Sequence, residues 1–259
     1  MAPILLSSTE IVRFLIVLLR LSGLMLFAPL FSSQTIPMIV RAAFILVAAL
    51  ILTPSLPLSA VPAGIGLGAI TGLVATEILS GVLIGFAASC IFAGFQFAGQ
   101  IISFQLGFSL IHQIDPQTNV ESPVFSFMQN YIGLLFFMLI NGHHWFLLAV
   151  NQSFSTLPVG GVHIQIPVIE HLMTLSSQIF VIGLRIAGPV LAVATITDII
   201  LGIIGRAAPQ IHILIVGMPL KLLVGFGCLS FSLYFLPRYL ESVFSVLYRA
   251  LFSLLNAMA

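Results

Sequence analysis

The stretch DIILGIIGRAAPQIHILIVGMPLK, from Asp198 to Lys221, gathers three charges and two prolines in a chain that is only 6% charged. Asp198 interrupts an apolar run, Arg206 ends it, and Pro209 and Pro219 bracket a short apolar insert before Lys221. The pattern reads as two apolar helices turning back on each other, with the turn between 206 and 219. An ionisable side chain at bilayer depth costs at least about 2.5 kcal/mol and needs a partner or a wet cavity. Asp198 is therefore a functional or assembly site, and the plain alternative is a buried ion pair that pins two helices together.

Composition extends this reading to the whole chain. Its 259 residues are 60% apolar, against roughly 45–50% apolar and 25% charged in soluble domains, so it cannot coat a globule with polar surface. Barrel strands would alternate apolar with polar residues, whereas these runs are continuous beyond the roughly 20 residues a helix needs to cross hydrocarbon. The expected fold is all-α, a polytopic integral membrane protein of kinked helices and helical hairpins. A net charge of +1 and the lack of any Lys/Arg run exclude a nucleic-acid partner. Cys90 and Cys228 sit in separate apolar runs and read as core residues, not as a disulfide or metal pair. No basic residue precedes Arg13 and Arg20 interrupts the apolar run, which favours a retained first helix over a cleaved signal.

In chain order, the first helix should start at Ser8 or Thr9 and end at Ala28, before Pro29. Arg13 and Arg20 then share one face two turns apart. Arg13 can snorkel, but Arg20 is near mid-helix and wants an acidic partner such as Glu77 or a neighbouring subunit. A shorter apolar run follows Pro37 and stops at Thr53, and TPSLPLSAVP is a loop. Gly66 to Phe104 is too long for one crossing and rich in glycine, so a kinked helix or a tight hairpin with closely packed backbones is expected.

QLGFSLIHQIDPQTNVESP, from Gln105 to Pro123, is the longest polar interruption and must leave the hydrocarbon or line a cavity. The apolar run Val124–Ser155 carries Asn141, His143, His144 and Trp145 at its waist. Adjacent histidines diverge by about 100° on a helix and cannot chelate one metal, so the waist is an interfacial anchor or a helix break. After a loop from Leu157 to Pro167, Glu170 should sit in the first turn of a helix that passes Arg185, bends at Pro189 and reaches Asp198. Arg185 and Asp198 are too far apart in sequence to pair along it. Pro237 to Met258 should form a separate amphipathic helix in the interface.

If each long run crossed once, the acidic loop around Asp115 and the basic turn would share a side of the membrane, against the positive-inside preference. One run is then a hairpin, or the helices do not sit in lipid in the usual way. Motifs for phosphate binding, zinc hydrolysis or a nucleophile elbow are missing, so no catalytic, cofactor-binding or metal residues are assigned. A translocation or channel subunit, a secondary transporter and an intramembrane enzyme remain as function classes.

The run GRAAPQIHILIVGMPLK (205–221) resembles the signature of the FliR family of flagellar type III export-gate proteins, whose injectisome relatives form the SctT family. FQLGFS (104–109), the Asp115–Pro116 pair, NGHHW (141–145), TLPVG (156–160) and RAAF (41–44) match as well, so the resemblance covers nearly the whole chain. It implies an amino-terminal FliP-like part, about 1–165, and a carboxy-terminal FliQ-like part, 166–259. FliP-like and FliQ-like membrane subunits, FlhA-like and FlhB-like export components, unfolded export substrates and membrane lipid are the implied partners, at the bacterial inner membrane. No cofactor is implied. The 106–122 segment, with Leu106, Gly107, Phe108, Ser109, Asp115, Pro116 and Ser122, corresponds to a pore-plugging loop. Arg20, Glu77, Arg185, Asp198, Arg206, Gln210 and Lys221 are the expected intersubunit or interhelix polar contacts.

Overall fold

A computed structural model of the chain describes residues 8–29, 31, 36–56, 67–108, 124–162, 165–210 and 213–258. Among these are seven α-helices: α1 Ser8–Phe27, α2 Met38–Leu52, α3 Leu67–Gln105, α4 Val124–Leu139, α5 Gly142–Thr156, α6 Ile166–Ala207 and α7 Ile213–Met258. A single 3-10 turn, Thr53–Ser55, follows α2. The chain is an all-α polytopic membrane protein. Three helices are long and apolar enough to cross a membrane, or four if the bent α4/α5 pair makes one span.

Length sets the three long helices apart. With 39, 42 and 46 residues, α3, α6 and α7 extend about 60–70 Å at about 1.5 Å per residue, roughly twice the ~30 Å hydrocarbon core. Part of each must lie beyond the hydrocarbon. The α4/α5 pair instead breaks at Asn141, with a bend of 68°. Asn141 takes a left-handed φ of 56°, a conformation that Asn tolerates better than most residues because its short amide can bond locally.

The chain forms two compact units. In the first, residues 1–90, 138–175 and 245–259, α1 runs parallel to the first half of α3, with Arg20 beside Glu77 and Leu24 beside Gly81. Gly81 is required there, because a Cβ would overlap the Arg20 carbonyl oxygen. Small residues permit such an approach in lipid, where packing and not the hydrophobic effect drives helix association. Ile16, Val17, Leu21, Leu24 and Ile84 fill the seam, and Trp145 meets Tyr248 edge-on at 5.5 Å between ring centroids.

In the second unit, residues 91–137 and 176–244, the rest of α3 is flanked by α4, α6 and α7. Phe92, Phe95, Phe137 and Phe244 interlock at its centre, with centroids 5.6 Å apart for Phe92–Phe137 and 5.8 Å for Phe95–Phe244. Such edge and tilted geometries add to the area each ring buries. Residues 176–207 of α6 and 213–244 of α7 turn back on each other through the connection after Ala207, and their outward faces stay uncovered by the chain. Ile199 is 58% exposed, Ile203 63% and Leu223 73%.

Five expectations change. Residues 67–105 are one uninterrupted helix and not a hairpin; no proline breaks it, and glycines such as Gly81 and Gly94 lie where neighbouring helices touch. The turn after Arg206 ends by Ile213, so Pro219 lies inside α7, and α7 continues through Pro237 to Met258 without a separate last helix. Proline is tolerated inside long apolar helices because neighbouring groups satisfy the freed carbonyl. Glu170 is beyond the first turn of α6, which starts at Ile166. Arg13 does not snorkel: it is buried, bound to Glu10 at 2.8 Å and to the Leu56 carbonyl.

Candidate functional site

Two polar clusters stand out against the apolar background, one in each unit. The first is built on α1. Helical spacing carries Arg20 to the face against α3, where it has 0% exposure. Its Nε donates to Glu77 Oε2 at 2.8 Å and its Nη1 to Ser153 Oγ of α5 at 2.8 Å. The guanidinium carbon also stands 4.1 Å from the centre of the Phe154 ring, a contact that a desolvated cation gains from the π-face. Glu77, likewise fully buried, accepts the backbone N–H of Gly160 with its second oxygen at 3.0 Å. Arg20 Nη2 has no acceptor among the described residues.

One carboxylate and one guanidinium thus tie together α1, α3, α5 and the 157–162 turn. Their mutual attraction in a low-dielectric setting offsets the desolvation of both charges only because further hydrogen bonds occupy most of their remaining sites. The cluster is closed to solvent, with both charged side chains at 0% exposure.

The second cluster is half open. Lys221 Nζ of α7 meets Asp198 Oδ2 of α6 at 2.8 Å, with side chains 18% and 46% exposed. Asp198 lies nine residues before the end of α6 at Ala207, and Lys221 eight residues after the start of α7 at Ile213. Two antiparallel helices therefore bring them to the same level, about 12–14 Å from the turn at about 1.5 Å per residue. Further from the turn, Arg185 of α6 faces Tyr239 of α7 between the same helices. Gln105, the last residue of α3, points its amide at Thr195 and Asp198.

Of the residues named from the sequence, the structure joins Arg20 with Glu77 and Asp198 with Lys221. Arg206 does not join Asp198; it is exposed at the end of α6, as is Gln210 just beyond. Leu106 is buried, Gly107 has a left-handed φ of 86°, and Phe108 packs on Phe125. Ser109, Asp115, Pro116 and Ser122 lie outside the described residues. Ser153, Phe154, Gly160 and Gln105 were not singled out from the sequence as polar contacts, although Gly160 falls in TLPVG and Gln105 in FQLGFS.

No group of three or more potential metal ligands occurs among the described residues. His143 and His144 have ring centroids 4.3 Å apart on one helix, without a third ligand beside them. An apolar cleft lined by Glu10, Ile11, Phe14, Leu50, Thr53 and Pro54 presents a single carboxylate, and that group is already paired with Arg13. The arrangement suits helix-to-helix locking.

Comparison with known proteins supplies the context for these clusters. The family model described as bacterial export proteins, family 1, matches residues 11–247. The flagellar biosynthetic protein FliR of Escherichia coli K12 is 30% identical over 239 residues, spanning 92% of this chain and 91% of that protein. The protein of the same description from Bacillus subtilis 168 is 30% identical over 237 residues, with 90% of each chain covered. The one from Pectobacterium carotovorum is 29% identical over 246 residues, covering 93% and 91%.

Proposed function

The chain belongs to family 1 of the bacterial export proteins, the FliR family, and on that premise we propose that it is a subunit of the flagellar type III protein export gate. With FliP-like and FliQ-like membrane subunits it forms the inner-membrane pore through which unfolded substrates leave for flagellum assembly. FlhA-like and FlhB-like export components are its further partners at the basal body. The match across more than nine-tenths of the chain to flagellar relatives carries this reading. It also favours the flagellum over an injectisome.

Physical features of the chain support it. The outward faces of α6 and α7 are apolar and uncovered, as expected of helices that pack on lipid and on further subunits. Helices twice as long as a bilayer core suit a complex raised partly out of the membrane. In this reading residues 1–165 stand in for a FliP protomer and 166–259 for a FliQ hairpin, and the 106–122 segment closes the pore until substrate arrives. With no nucleotide motif in the chain, the driving energy comes from partners or from an ion gradient.

The test is replacement of the resident family member in a flagellated bacterium by this chain, reading motility and secretion of filament protein. Restored secretion is expected. Loss of secretion from a chain that is inserted and stable, together with the resident FliP and FliQ proteins, would contradict the proposal.

A further inference from the structure

Measured from its turn, the α6–α7 hairpin carries exposed polar side chains at matched depths. Arg206 stands beside the turn, one residue before α6 ends, and is exposed. Arg185 is 22 residues before that end, about 33 Å along the helix at about 1.5 Å per residue. On α7, Tyr234 is 21 residues after the start and Arg238 is 25 after it, about 32 and 38 Å from the turn on the same scale. All three are exposed, Tyr234 at 81%. Two helices running in opposite directions thus bring arginine and tyrosine to nearly one level, within one compact unit.

Between the two levels the hairpin is apolar and has no net charge. The 20 residues from Ile186 to Gly205 hold one charged side chain, Asp198, and the 25 from Ile213 to Pro237 hold one, Lys221. These meet at 2.8 Å, and a charge at bilayer depth needs such a partner. Ile196, Ile199 and Ile203 form an outward stripe on α6, and Leu223 and Phe231 face out from α7, each more than half exposed. Beyond the far level polar side chains return on both helices: Ser176, Ser177 and Gln178 on α6, and Glu241, Ser242 and Ser245 on α7. The apolar stretch of α3 is 67% buried by the chain itself, but that of α6 only 33% and that of α7 17%.

The interval from Arg185 to Arg206, about 32 Å at the same rise, matches the ~30 Å hydrocarbon core of a bilayer. Arginine and tyrosine collect at its two borders, where the polar tip reaches the headgroups and the body stays in an apolar layer. A partner helix could cover an apolar stripe, but it would not require arginine and tyrosine on two separate helices to stop at one depth.

We propose that the α6–α7 hairpin is embedded in lipid from Arg206 to the level of Arg185, Tyr234 and Arg238. Its outward stripes contact acyl chains, and its two arginine levels lie in the two headgroup regions. The part of α6 before Arg185 and the part of α7 after Arg238 stand outside the hydrocarbon. Lipid contact here is independent of the pore and its cargo.

The test places a nitroxide spin label on single introduced cysteines in the purified complex, reconstituted in phospholipid vesicles. Cys228→Ala is the background, and Cys90, 2% exposed, is left in place. Relaxation by molecular oxygen, which concentrates among acyl chains, is compared with relaxation by a water-soluble nickel chelate. Labels at Ile199→Cys and Leu223→Cys should be relaxed by oxygen and shielded from nickel. Labels at Ser177→Cys and Ser242→Cys, about 44 Å from the turn at the helical rise, should lack that pattern. Should Ile199→Cys prevent recovery of the complex, Ile203→Cys on the same stripe replaces it. Shielding from both reagents at either apolar position would mean that a neighbouring subunit covers the stripe, and nickel access that water does. Either result overturns the lipid assignment. The oxygen pattern at Ser177→Cys or Ser242→Cys would overturn its far boundary.

Discussion

Glu77→Ala removes the carboxylate that holds Arg20 and the Gly160 N–H at once, and leaves a guanidinium with 0% exposure facing only Ser153 and the Phe154 ring. Breaking one side of a buried ion pair costs about 3–5 kcal/mol, because the surviving charge stays desolvated. The orphaned Gly160 amide adds about 1 kcal/mol, not fully additive with the first term. The expected loss is therefore about 4 kcal/mol, close to a thousand-fold in the folded fraction. Unfolding of the purified complex by denaturing detergent, followed by release of this subunit, reads that change. Arg20→Met combined with Glu77→Leu removes both charges and refills their space, so it should cost less than Glu77→Ala alone. A single variant within about 1 kcal/mol of the parent, or a double variant worse than the single, would refute the reasoning.

Three further outcomes follow from the geometry. Gly81→Val must push α1 away from α3 and should cost about 1–3 kcal/mol in the same unfolding assay, whereas Gly72→Val, with nothing near its Cβ position, should change little. Asn141→Val places a β-branched residue at a φ of 56° and should cost about 1–2 kcal/mol, while Asn141→Gly stays near neutral. Asp198→Lys and Lys221→Asp should each lower complex recovery and the reciprocal pair should restore it; with partly exposed side chains, the coupling should be about 1 kcal/mol.

Class and membrane character were legible because composition and long apolar runs admit few alternatives. The helix break at Asn141 was legible too, since a polar waist in an apolar run has to interrupt or anchor it. The sequence puts the end of the 206–219 turn too late, because Pro219 reads as a boundary although it lies inside α7. Once α7 is known to begin at Ile213, equal distance from the turn pairs Asp198 with Lys221, and Arg206, only two turns along the same helix, falls out of reach. Glu77 suggested itself for Arg20 by charge and depth. Ser153 and Gly160 did not, because their roles depend on how the α4/α5 bend and the 157–162 turn fold back in space, and no periodicity in the sequence encodes that. Gln105 was hidden for a related reason: it ends α3 and carries no charge, so only its contact with Asp198 reveals it.

The most direct test of the export-gate account is extraction of the tagged chain from its native membrane in mild detergent, with the co-purifying proteins identified and the particle mass measured. The account predicts a large complex containing FliP-like and FliQ-like subunits. A stable monomer or homodimer, recovered from cells that assemble flagella, would contradict it.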